Sequence, residues 1–555
     1  MPKYIFVAGG VLSGVGKGTV TASLGVLLQA KGFRVTAMKI DPYVNVDAGT
    51  MNPTEHGEVF VTDDGDETDL DIGSYERFLG QDLGKINYMT TGRVYLSVIE
   101  RERNLGYKGK CVEVVPHLPE EVLHRIHACV EARRAEIVLI EIGGTVGEYQ
   151  NVLFLEAARL LKQQRPDDVI TLLVSYLPIP GHIGEMKTKP TQHATRQLQA
   201  AGIQPDFIVA RGSQALDAVR RKKLAVFCNV QADDVIAAPD VASIYHVPVN
   251  FEREHVAERV LEKLGLAPRG KDLRQWRAMV RTSERQYAPV RIAIVGKYFS
   301  TGDFVLSDVY LSVIEAVKHA AWARKRTPVL EWVNTEEYEQ DNKKLKQLGQ
   351  CDGVVIPGGF GSRGVEGKIR TIQYLREHGI PFLGICYGMQ LACVEFARNV
   401  LGLPGAHTTE IVPDTADPII DVMEEQKARL AKDAYGGTMR LGAYDCRVRA
   451  GTHAARAYAD TSWVSKRYAN GDLRISERHR HRYEFNNAYR ERCEAAGMVF
   501  SGVNPERDLA EIIELPKQTH PYFVAAQFHP EFKSRPLDPQ PLFLGLIKAA
   551  EKRGA

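Results

Sequence analysis

Residues 9–19 (GGVLSGVGKGT) have the composition of a loop that binds phosphate groups. The strand pattern YIFVA precedes them and the helical pattern TVTASLGVLLQAKG follows, so backbone N–H groups at a helix N-terminus would face the phosphates. The usual motif, G-x-x-x-x-G-K-[ST], is broken, because it requires a glycine at Val11 and a hydroxyl at Gly18, whereas Thr19 supplies the hydroxyl one place later. We predict a variant nucleotide site in which Lys17 supplies charge. The alternative is a tight turn with a surface lysine.

Carboxylates that could hold the metal ion of a triphosphate occur at two places. The apolar strand pattern EIVLIEI carries Glu141 near its end, where a Walker-B-type ligand would stand, and the acidic run TDDGDETDLDIG contains Asp71. Mg²⁺ prefers such oxygen ligands together with substrate phosphates. We predict that Glu141 and Asp71 bind Mg²⁺. For Asp71 the alternative, a solvated acidic loop, is equally open.

A cluster of lysines and uncharged hydrogen-bond donors occurs in GEMKTKPTQHATRQL. Its members are Lys187, Thr188, Lys189, Pro190, Thr191 and Gln192. A pair of solvated lysines is the usual explanation of such a run. The proline bend and the neighbouring hydroxyls favour the alternative, a second pocket for an anion.

A cysteine, a histidine and a glutamate in the second half have the types needed for amide hydrolysis. In PFLGICYGMQLACVEFA, Cys386 stands where a strand pattern turns sharply into a helical one, and a helix N-terminus favours the thiolate form. His529 and Glu531, in YFVAAQFHPEF, are two residues apart on an extended chain, so the carboxylate can orient the imidazole. Gly358 and Gly359, after the strand pattern in VVIPGGFG, offer N–H groups for an oxyanion hole. We predict a Cys–His–Glu triad; the alternative is a core cysteine.

The elements that must position these residues form an α/β pattern, in which short apolar runs alternate with helical patterns. The strand patterns are YIFVA, RVTAMKI, EIVLIEI, VITLLVSYL, DFIVA and DVIAA, followed by RIAIVGKY, PVLEWVN, DGVVIP, PFLGIC, MVFSGV and YFVAAQF. The polar stretch KDLRQWRAMVRTSERQYAP separates the two groups. We therefore predict two doubly wound domains with mainly parallel sheets, at residues 1–267 and 290–555, joined by a linker at residues 268–289.

Composition limits the classes of partner. The chain has 555 residues, which is too long for one core, and its 71 basic and 69 acidic residues give a net charge of +2, which provides no general attraction to nucleic acid or membranes. The eight cysteines form no C-x-x-C pair, and neither a signal-peptide pattern nor an apolar run of membrane-spanning length occurs. We expect a cytoplasmic enzyme with reduced thiols and with neither a nucleic-acid nor a membrane partner.

The motifs together resemble a known family over nearly the whole chain. PGGFG, GICYGMQ and FHPE, in that order, are similar to a class I glutamine amidotransferase domain, and GGVLSGVGKG, KIDPYVNVDAGTMNPTEHGEVFVTDDG and MKTKPTQH resemble the P-loop-NTPase-like synthetase domain of the CTP synthase family. The resemblance implies that ATP phosphorylates the 4-oxygen of UTP and that ammonia from glutamine then displaces the phosphate to give CTP. It also implies a requirement for Mg²⁺, activation by GTP, inhibition by CTP, and a homotetramer able to stack into filaments.

Site residues follow from the same resemblance, position by position. ATP is expected at Ser13, Gly14, Val15, Gly16, Lys17, Gly18, Thr19, Lys39, Asp71 and Val241. UTP and CTP are expected at Ser13, Glu148, Tyr149, Gln150, Lys187, Thr188, Lys189, Pro190, Thr191, Gln192 and Lys223. Glutamine is expected at Gly359, Tyr387, Gly388, Met389, Gln390, Glu410 and Arg482. Arg482 lies in RISERHRHRYEFNN, which composition alone describes as a solvated basic run.

Three features of the second half go beyond these assignments. Tyr387 follows the cysteine where the family usually has a leucine, and this difference could reshape the glutamine pocket. The segment at residues 361–367 (GSRGVEG) is expected to act as a GTP-sensitive lid. A surface insertion is expected at residues 424–437.

Two other functions are compatible with parts of the pattern. One is an ATP-dependent amide synthetase acting on a carboxylate, which the KTKPTQ segment and its anion pocket disfavour. The other is a partner-regulated P-loop ATPase with an inactive amidotransferase-like tail. Such ATPases usually carry a lysine five places before the loop lysine, where this chain has Leu12, and the intact triad also argues against an inactive tail.

Overall fold

The computed structural model of the chain describes residues 1–182, 184–270, 272–296, 300–301, 304–305, 307–340, 342–422 and 439–554. The chain forms two compact units, one made of Met1–Ala48 and Asp71–Val280 and the other of Gly49–Leu70 and Arg281–Ala555. The predicted insertion at residues 424–437 lies outside the described residues. Within the described ranges, no helix is both long and apolar enough to cross a membrane.

The strands of the first half are β1 Lys3–Gly10, β2 Val35–Asp41, β3 Phe60–Val61, β4 Glu67–Thr68, β5 Tyr88–Thr90, β6 Ile137–Ile142, β7 Val169–Tyr176, β8 Phe207–Gly212 and β9 Val235–Pro239. Those of the second half are β10 Pro289–Gly296, β11 Ser300–Thr301, β12 Phe304–Val305, β13 Thr327–Asn334, β14 Gly353–Ile356, β15 Phe382–Ile385, β16 Ala406–Thr408, β17 Asp417–Val422, β18 Arg440–Val448, β19 Lys466–Arg467, β20 Leu473–His481, β21 Tyr483–Phe485, β22 Val499–Val503, β23 Ala510–Glu514 and β24 Phe523–Ala526.

The helices of the first half are α1 Lys17–Ala30, α2 Pro53–His56, α3 Leu70–Leu79, α4 Thr91–Arg103, α5 Val114–Arg133, α6 Val152–Gln164, α7 Lys189–Ala200, α8 Ala218–Cys228, α9 Val247–Arg253, α10 Val256–Lys263 and α11 Arg274–Glu284. Those of the second half are α12 Leu311–Ala323, α13 Thr335–Gln340, α14 Val365–Glu377, α15 Tyr387–Asn399, α16 His453–Tyr458, α17 Arg490–Ala495 and α18 Pro541–Arg553. Short 3₁₀ helices occur at Lys85–Asn87, Tyr149–Asn151, Ala232–Asp234, Ile244–His246, Ser307–Tyr310, Asn342–Gln350, Asn487–Tyr489 and Pro530–Lys533.

The first unit is built on a seven-stranded sheet in the order β5-β2-β6-β1-β7-β8-β9, and every pair in it is parallel. Its central strands are apolar along both faces because helices cover both sides, as is usual for parallel sheets. The carboxyl ends of parallel strands lie at one edge of a sheet, where ligands of open α/β folds bind. The loops that follow β1, β6 and β7 at this edge, together with the helix starts that come directly after them, carry most of the predicted nucleotide residues.

The second unit contains a ten-stranded sheet in the order β13-β10-β14-β15-β24-β23-β22-β18-β20-β19. The strands from β13 to β24 are parallel, and those beyond β24 are antiparallel. The predicted α/β class is confirmed, with a mixed sheet in this unit. The neighbouring strands β14, β15 and β24 end within three residues of the predicted oxyanion glycines, Cys386 and His529, respectively, so the topology brings these residues together.

Two segments differ from the sequence patterns. The basic run RISERHRHRYEFNN forms β20 and β21, and Arg478 and His479 in it are fully buried. They can be buried because carboxylates of the same unit pair with them: Asp63 with Arg478 and Glu511 with His479. The stretch predicted as a linker contains α11, whose Trp276 packs on the rings of Phe78 and Tyr245 in the first unit.

Candidate active sites

The predicted phosphate loop joins β1 to α1. Gly16 precedes α1 with φ 91°, a left-handed conformation that glycine adopts without strain. No side chain in the described chain caps this helix start, so the N–H groups of its first turn are available to a phosphate. In the loop, Ser13 and Gly14 are exposed, Val15 is buried and Thr19 is half-buried.

Lys17 and Arg211 fix the loop from two sides. Lys17 is buried and donates from Nζ to the carbonyl of Gly144 at 3.0 Å. Burial lowers the pKa of Lys17, and the charge of Glu141 opposes this shift. Arg211, at the end of β8, donates from Nε to the carbonyl of Val15 at 3.3 Å. These two contacts hold the predicted phosphate loop in one conformation at the start of α1.

The predicted metal ligands converge on one ammonium group. Nζ of Lys39 forms ion pairs with Asp71 and, at 3.0 Å, with Glu141. The hydroxyl of Tyr75 donates to the second oxygen of Glu141. Burial raises the pKa of Glu141, with Lys39 opposing, and burial also raises the pKa of Tyr75. The side chain of Asp71 fills the space beside Gly18, where an added Cβ would stand 2.1 Å from Oδ1.

The KTKPTQ residues surround the start of α7. Thr191 is buried and hydrogen-bonds through Oγ1 to Oγ of Ser175, at the end of β7, at 2.9 Å. Nε2 of Gln192 donates to Oγ1 of Thr188 at 3.1 Å, and Oε1 of Gln192 is buried without a partner among the described residues. Lys187 is more exposed and pairs with a neighbouring carboxylate. The hydroxyls of Thr188 and Thr191 and the amide of Gln192 thus form a buried polar site, and the charge of Lys187 lies at its edge.

The other predicted nucleotide residues of the first unit are less enclosed. Glu148 and Val241 are half-buried, Gln150 is exposed, and Tyr149 is 98% exposed. Lys223 is exposed on α8. Among the described residues, Tyr149 and Lys223 make no hydrogen bond to the phosphate loop, and their assignment to the uridine nucleotide stays a prediction.

In the second unit, Cys386 lies between β15 and α15 in a strained turn. Its φ of 50° is positive, which is uncommon for a residue with a side chain and typical of functional turns. The thiol is buried; Nε2 of Gln527 lies 3.7 Å from Sγ, and the carbonyl of Arg480 lies 3.8 Å from it. The turn therefore places the thiol at the end of the parallel strands and at the N-terminus of a helix.

His529 and Glu531 form the expected pair. Nδ1 of His529 hydrogen-bonds to Oε1 of Glu531 at 2.8 Å, and Nε2 is buried with no hydrogen-bond partner among the described residues. Burial alone would lower the pKa of His529, but the charges of Glu531 and Cys386 outweigh it and raise this pKa to about 10. The histidine and the cysteine flank Gly358, since an added Cβ there would stand 2.8 Å from Cε1 of His529 and 3.7 Å from Cβ of Cys386.

A cavity of about 410 Å³ adjoins the thiol. Its lining includes all three triad residues and four of the seven residues predicted to bind glutamine: Gly359, Gln390, Glu410 and Arg482. Tyr387, Gly388 and Met389 are instead packed beneath it in the first turn of α15. The volume and the mixture of charged and apolar side chains suit an amino acid.

Comparison with known proteins agrees with this geometry. The family described as CTP synthase N-terminus matches residues 3–266, and the family described as glutamine amidotransferase class-I matches residues 305–549. The chain is 49% identical over 550 residues to the CTP synthase of Caldanaerobacter subterraneus subsp. tengcongensis, covering 99% of this chain and 98% of the relative. It is 50% identical over 556 residues to that of Thermococcus gammatolerans, covering 100% and 99%.

The chain belongs to the CTP synthase family. It is thus a glutamine-hydrolysing ligase of pyrimidine nucleotide synthesis, which converts UTP to CTP. A solved glutaminase domain of the CTP synthase of Trypanosoma brucei, with bound acivicin, is 35% identical and covers 47% of this chain and 94% of that one, with a TM-score of 0.42.

Several residues of this CTP synthase at the cavity were not predicted. Part of the cavity wall in the second unit comes from the first half of the sequence. These residues are Gly49, Thr50, Met51, Glu58 and Val59. No local pattern could have found them, because strand and helix signals do not report which unit a loop joins. Gln527, whose Nε2 lies 3.7 Å from Sγ of Cys386, was also not predicted; its sequence signal was a polar residue directly after the apolar strand β24.

Proposed function

We propose that this CTP synthase carries out its reaction at two separate sites, one in each unit. The arrangement of Cys386, His529 and Glu531 around one cavity supports glutamine hydrolysis in the second unit. The cluster of Lys17, Lys39, Asp71 and Glu141 at the carboxyl edge of the first sheet supports phosphoryl transfer there. Residues 1–267 are then the synthetase domain, residues 290–555 are the amidotransferase domain, and residues 268–289 join them.

In the glutaminase step, Sγ of Cys386 attacks the side-chain amide carbon of glutamine. The negative charge that develops on the carbonyl oxygen is stabilised by N–H groups near Gly359. His529, protonated beside the thiolate and oriented by Glu531, gives its proton to the leaving nitrogen, so ammonia departs and a thioester remains. Water then attacks the thioester with His529 as base, which releases glutamate and restores the thiol.

In the synthetase step, the γ-phosphoryl group of ATP is transferred to the 4-oxygen of UTP. Ammonia attacks C4, phosphate leaves, a proton is lost, and CTP is formed together with ADP. Two triphosphates in one site repel each other, so their charges must be neutralised by Lys17 and Lys39 and by first-turn N–H groups of α1. The buried Thr191 and Gln192 would hold the uridine nucleotide through hydrogen bonds.

Mg²⁺ fits the two carboxylates of the first unit. Asp71 and Glu141 both reach Nζ of Lys39, so both also reach a single cation position between them. Mg²⁺ is usually bound by one or two carboxylates together with substrate phosphates, and these two side chains could supply the carboxylates. Bound Mg²⁺ would neutralise phosphate charge.

The remaining assignments of the proposal follow family membership. ATP is assigned to residues 13–19, Lys39, Asp71 and Val241; UTP and CTP to Ser13, residues 148–150, residues 187–192 and Lys223; and glutamine to Gly359, residues 387–390, Glu410 and Arg482. Activation by GTP through residues 361–367 and inhibition by CTP belong to the same proposal. We also propose a cytoplasmic location, because all eight cysteines are free thiols, as is usual in a reducing compartment.

Exposed apolar side chains on the first unit support the homotetramer, with stacking into filaments as a further assembly. Leu96 and Ile99 on α4, and Val219, Val226 and Phe227 on α8, are 42–77% exposed. Apolar surface of this kind is typical of subunit interfaces.

The decisive experiment separates the two nitrogen sources. With UTP, ATP, Mg²⁺ and either glutamine or ammonium, the conversion of uracil to cytosine is followed by absorbance. Cys386→Ala should lower glutamine-dependent synthesis by about 10³-fold or more and leave ammonia-dependent synthesis within about twofold of wild type. Lys17→Ala should lower synthesis from both sources by about 10²-fold or more.

Matched controls lie on α15 and at the end of α1. Cys393→Ala alters another buried thiol of α15, and Lys31→Ala alters the lysine just beyond α1; neither should change the ratio of the two activities. Loss of the ammonia reaction in Cys386→Ala would contradict the separation of roles. ATP hydrolysis that is equal with and without UTP would instead favour a P-loop ATPase.

A further inference from the structure

Tyr387, the residue after Cys386, makes two contacts that a leucine could not make. Its hydroxyl donates to the carbonyl oxygen of Gly361 at 3.1 Å. Its ring lies 5.4 Å from Nζ of Lys368, a fully buried residue near the start of α14. The side chain therefore connects the start of α15 to both sides of the turn that leads into α14.

Gly361 is held on its other side as well. Its N–H donates to Oε1 of Glu410 at 2.8 Å. The loop that contains Gly358 and Gly359 is thus fixed at one end by β14, whose last residue is Ile356, and at the other by the two polar groups of Gly361. A short loop that is fixed at both ends holds the N–H groups between them in one direction.

We propose that Tyr387 is a positioning residue for glutamine hydrolysis, which ties the oxyanion loop to the backbone of the nucleophile. This proposal rests on the proposed roles of Cys386 and Gly359. Because Tyr387 and Cys386 are adjacent in the chain, the hydrogen bond to Gly361 fixes the distance between the attacking sulfur and the N–H donors. This role concerns only the hydroxyl, which contacts Gly361 and acts through the loop; it is separate from the contact with glutamine that family membership assigns to residues 387–390.

The kinetic consequence differs from that of a residue that binds glutamine. The oxyanion forms during the reaction. A misplaced N–H donor therefore reduces the stabilisation of the transition state more than it reduces the binding of glutamine. Loss of the Tyr387 hydroxyl should therefore lower kcat and kcat/KM together and leave KM nearly unchanged. A glutamine ligand would instead show its main effect in KM.

The test is Tyr387→Phe, with Tyr522→Phe as the matched control. Tyr522 is also buried and also donates from its hydroxyl to a backbone carbonyl, that of Leu542, at 2.8 Å. Glutaminase kcat should fall about 5- to 20-fold in Tyr387→Phe, with KM within about twofold of wild type, at fixed nucleotide concentrations. The control should keep wild-type kcat although it loses a similar hydrogen bond.

Tyr387→Leu, which removes the ring as well, should lose at least as much activity as Tyr387→Phe. Unchanged kcat in either variant, a rise confined to KM, or an equal loss of kcat in Tyr522→Phe would overturn the proposal. Failure of the proposed function would give a different result. If glutamine hydrolysis survives in Cys386→Ala, Cys386 is not the nucleophile, whatever the effect of the Tyr387 variants. Thermal unfolding of all variants checks that the fold is retained.

Discussion

Single residues set the chemistry of the glutaminase site through burial and charge. His529 is enclosed together with Glu531 and Cys386, and in a medium of low dielectric their mutual attraction outweighs the cost of burying the imidazolium. The ring also stacks on Phe532, with centroids 4.9 Å apart and planes at 10°, and Phe532 contacts Phe60 edge-on at 5.1 Å. The imidazole is thus held by a hydrogen bond at its edge and by packing on its face.

Glu531→Gln should lower glutaminase kcat by on the order of 10²- to 10⁴-fold, because the neutral amide does not stabilise the charge of the imidazolium and can hold the ring in the wrong tautomer. Ammonia-dependent synthesis in the same preparation is the internal control and should remain. If kcat stays within a few-fold of wild type, Glu531 does not orient His529.

The same pair makes stability depend on pH. The pKa of His529 is raised from 6.5 to about 10, so its contribution to the free energy of unfolding is fully present below pH 6.5 and is lost as the pH rises through about 10. In chemical denaturation, the stability advantage of wild type over Glu531→Gln should therefore be largest near pH 6 and shrink toward pH 10. An advantage that grows with pH would contradict the raised pKa.

At the scale of elements, β20 shows how a strand rich in charge can lie inside a sheet. Arg440 on β18 pairs with Glu484 at 3.1 Å and Glu511 at 2.7 Å, and His479 on β20 pairs with the other oxygen of Glu511 at 2.6 Å. Burial alone would raise the pKa of Glu511, but His479 and Arg440 lower it to about 2. Each buried charge in this network is compensated by a buried group of opposite charge within ion-pair distance.

Glu511→Gln should therefore lower the free energy of unfolding by about 3–5 kcal/mol, since it leaves a buried arginine without one of its counter-charges. Arg447→Gln on β18 is the matched control: its ion pair with Asp472, at 2.9 Å, involves a side chain that is 45% exposed, and it should cost less than about 1 kcal/mol. Equal effects of the two substitutions in urea denaturation would show that burial does not decide the strength of this network.

At the scale of the whole molecule, the units do not follow the order of the chain. Gly49–Leu70 belongs to the second unit although residues on both sides of it belong to the first. Its hairpin, β3 and β4, is attached to β20 by the ion pairs of Asp63 with Arg478 and of Glu67 with Arg480. Glu58 accepts hydrogen bonds from the N–H of Ser312 in the first turn of α12. The glutaminase cavity therefore depends on a segment that the sequence places in the synthetase half.

A chain restricted to residues 281–555 should be a poorer glutaminase than the full protein. It lacks the cavity wall at residues 49–59 and loses the contacts of Arg478 with Asp63, with the carbonyl of Val61 and with the ring of Phe60, so its stability should be lower. We expect kcat/KM for glutamine to fall at least about tenfold and a synthetic peptide of residues 49–70 to restore part of it, with a scrambled peptide as control. Full activity of the truncated chain without peptide would show that the segment is dispensable.

The sequence by itself determined the α/β class, the strands on which the motifs lie, and the identity of the residues that carry charge and nucleophilicity. These follow from local rules: apolar runs predict buried strands, and glycine-rich turns before helices predict anion sites. The triad could be named because Cys386 and His529 each stand directly after a strong strand pattern.

Tertiary structure alone decided where distant segments meet. The missing hydroxyl at Gly18 is explained only when Asp71, from α3, is seen to fill that space. The burial of β20 depends on the carboxylates of Asp63 and Glu511, which are far apart in the chain. The cavity wall at residues 49–59 depends on which unit that segment joins. Propensity and periodicity act over a few residues, whereas a buried charge or a shared cavity is set by partners hundreds of residues away, so no local pattern carries that information.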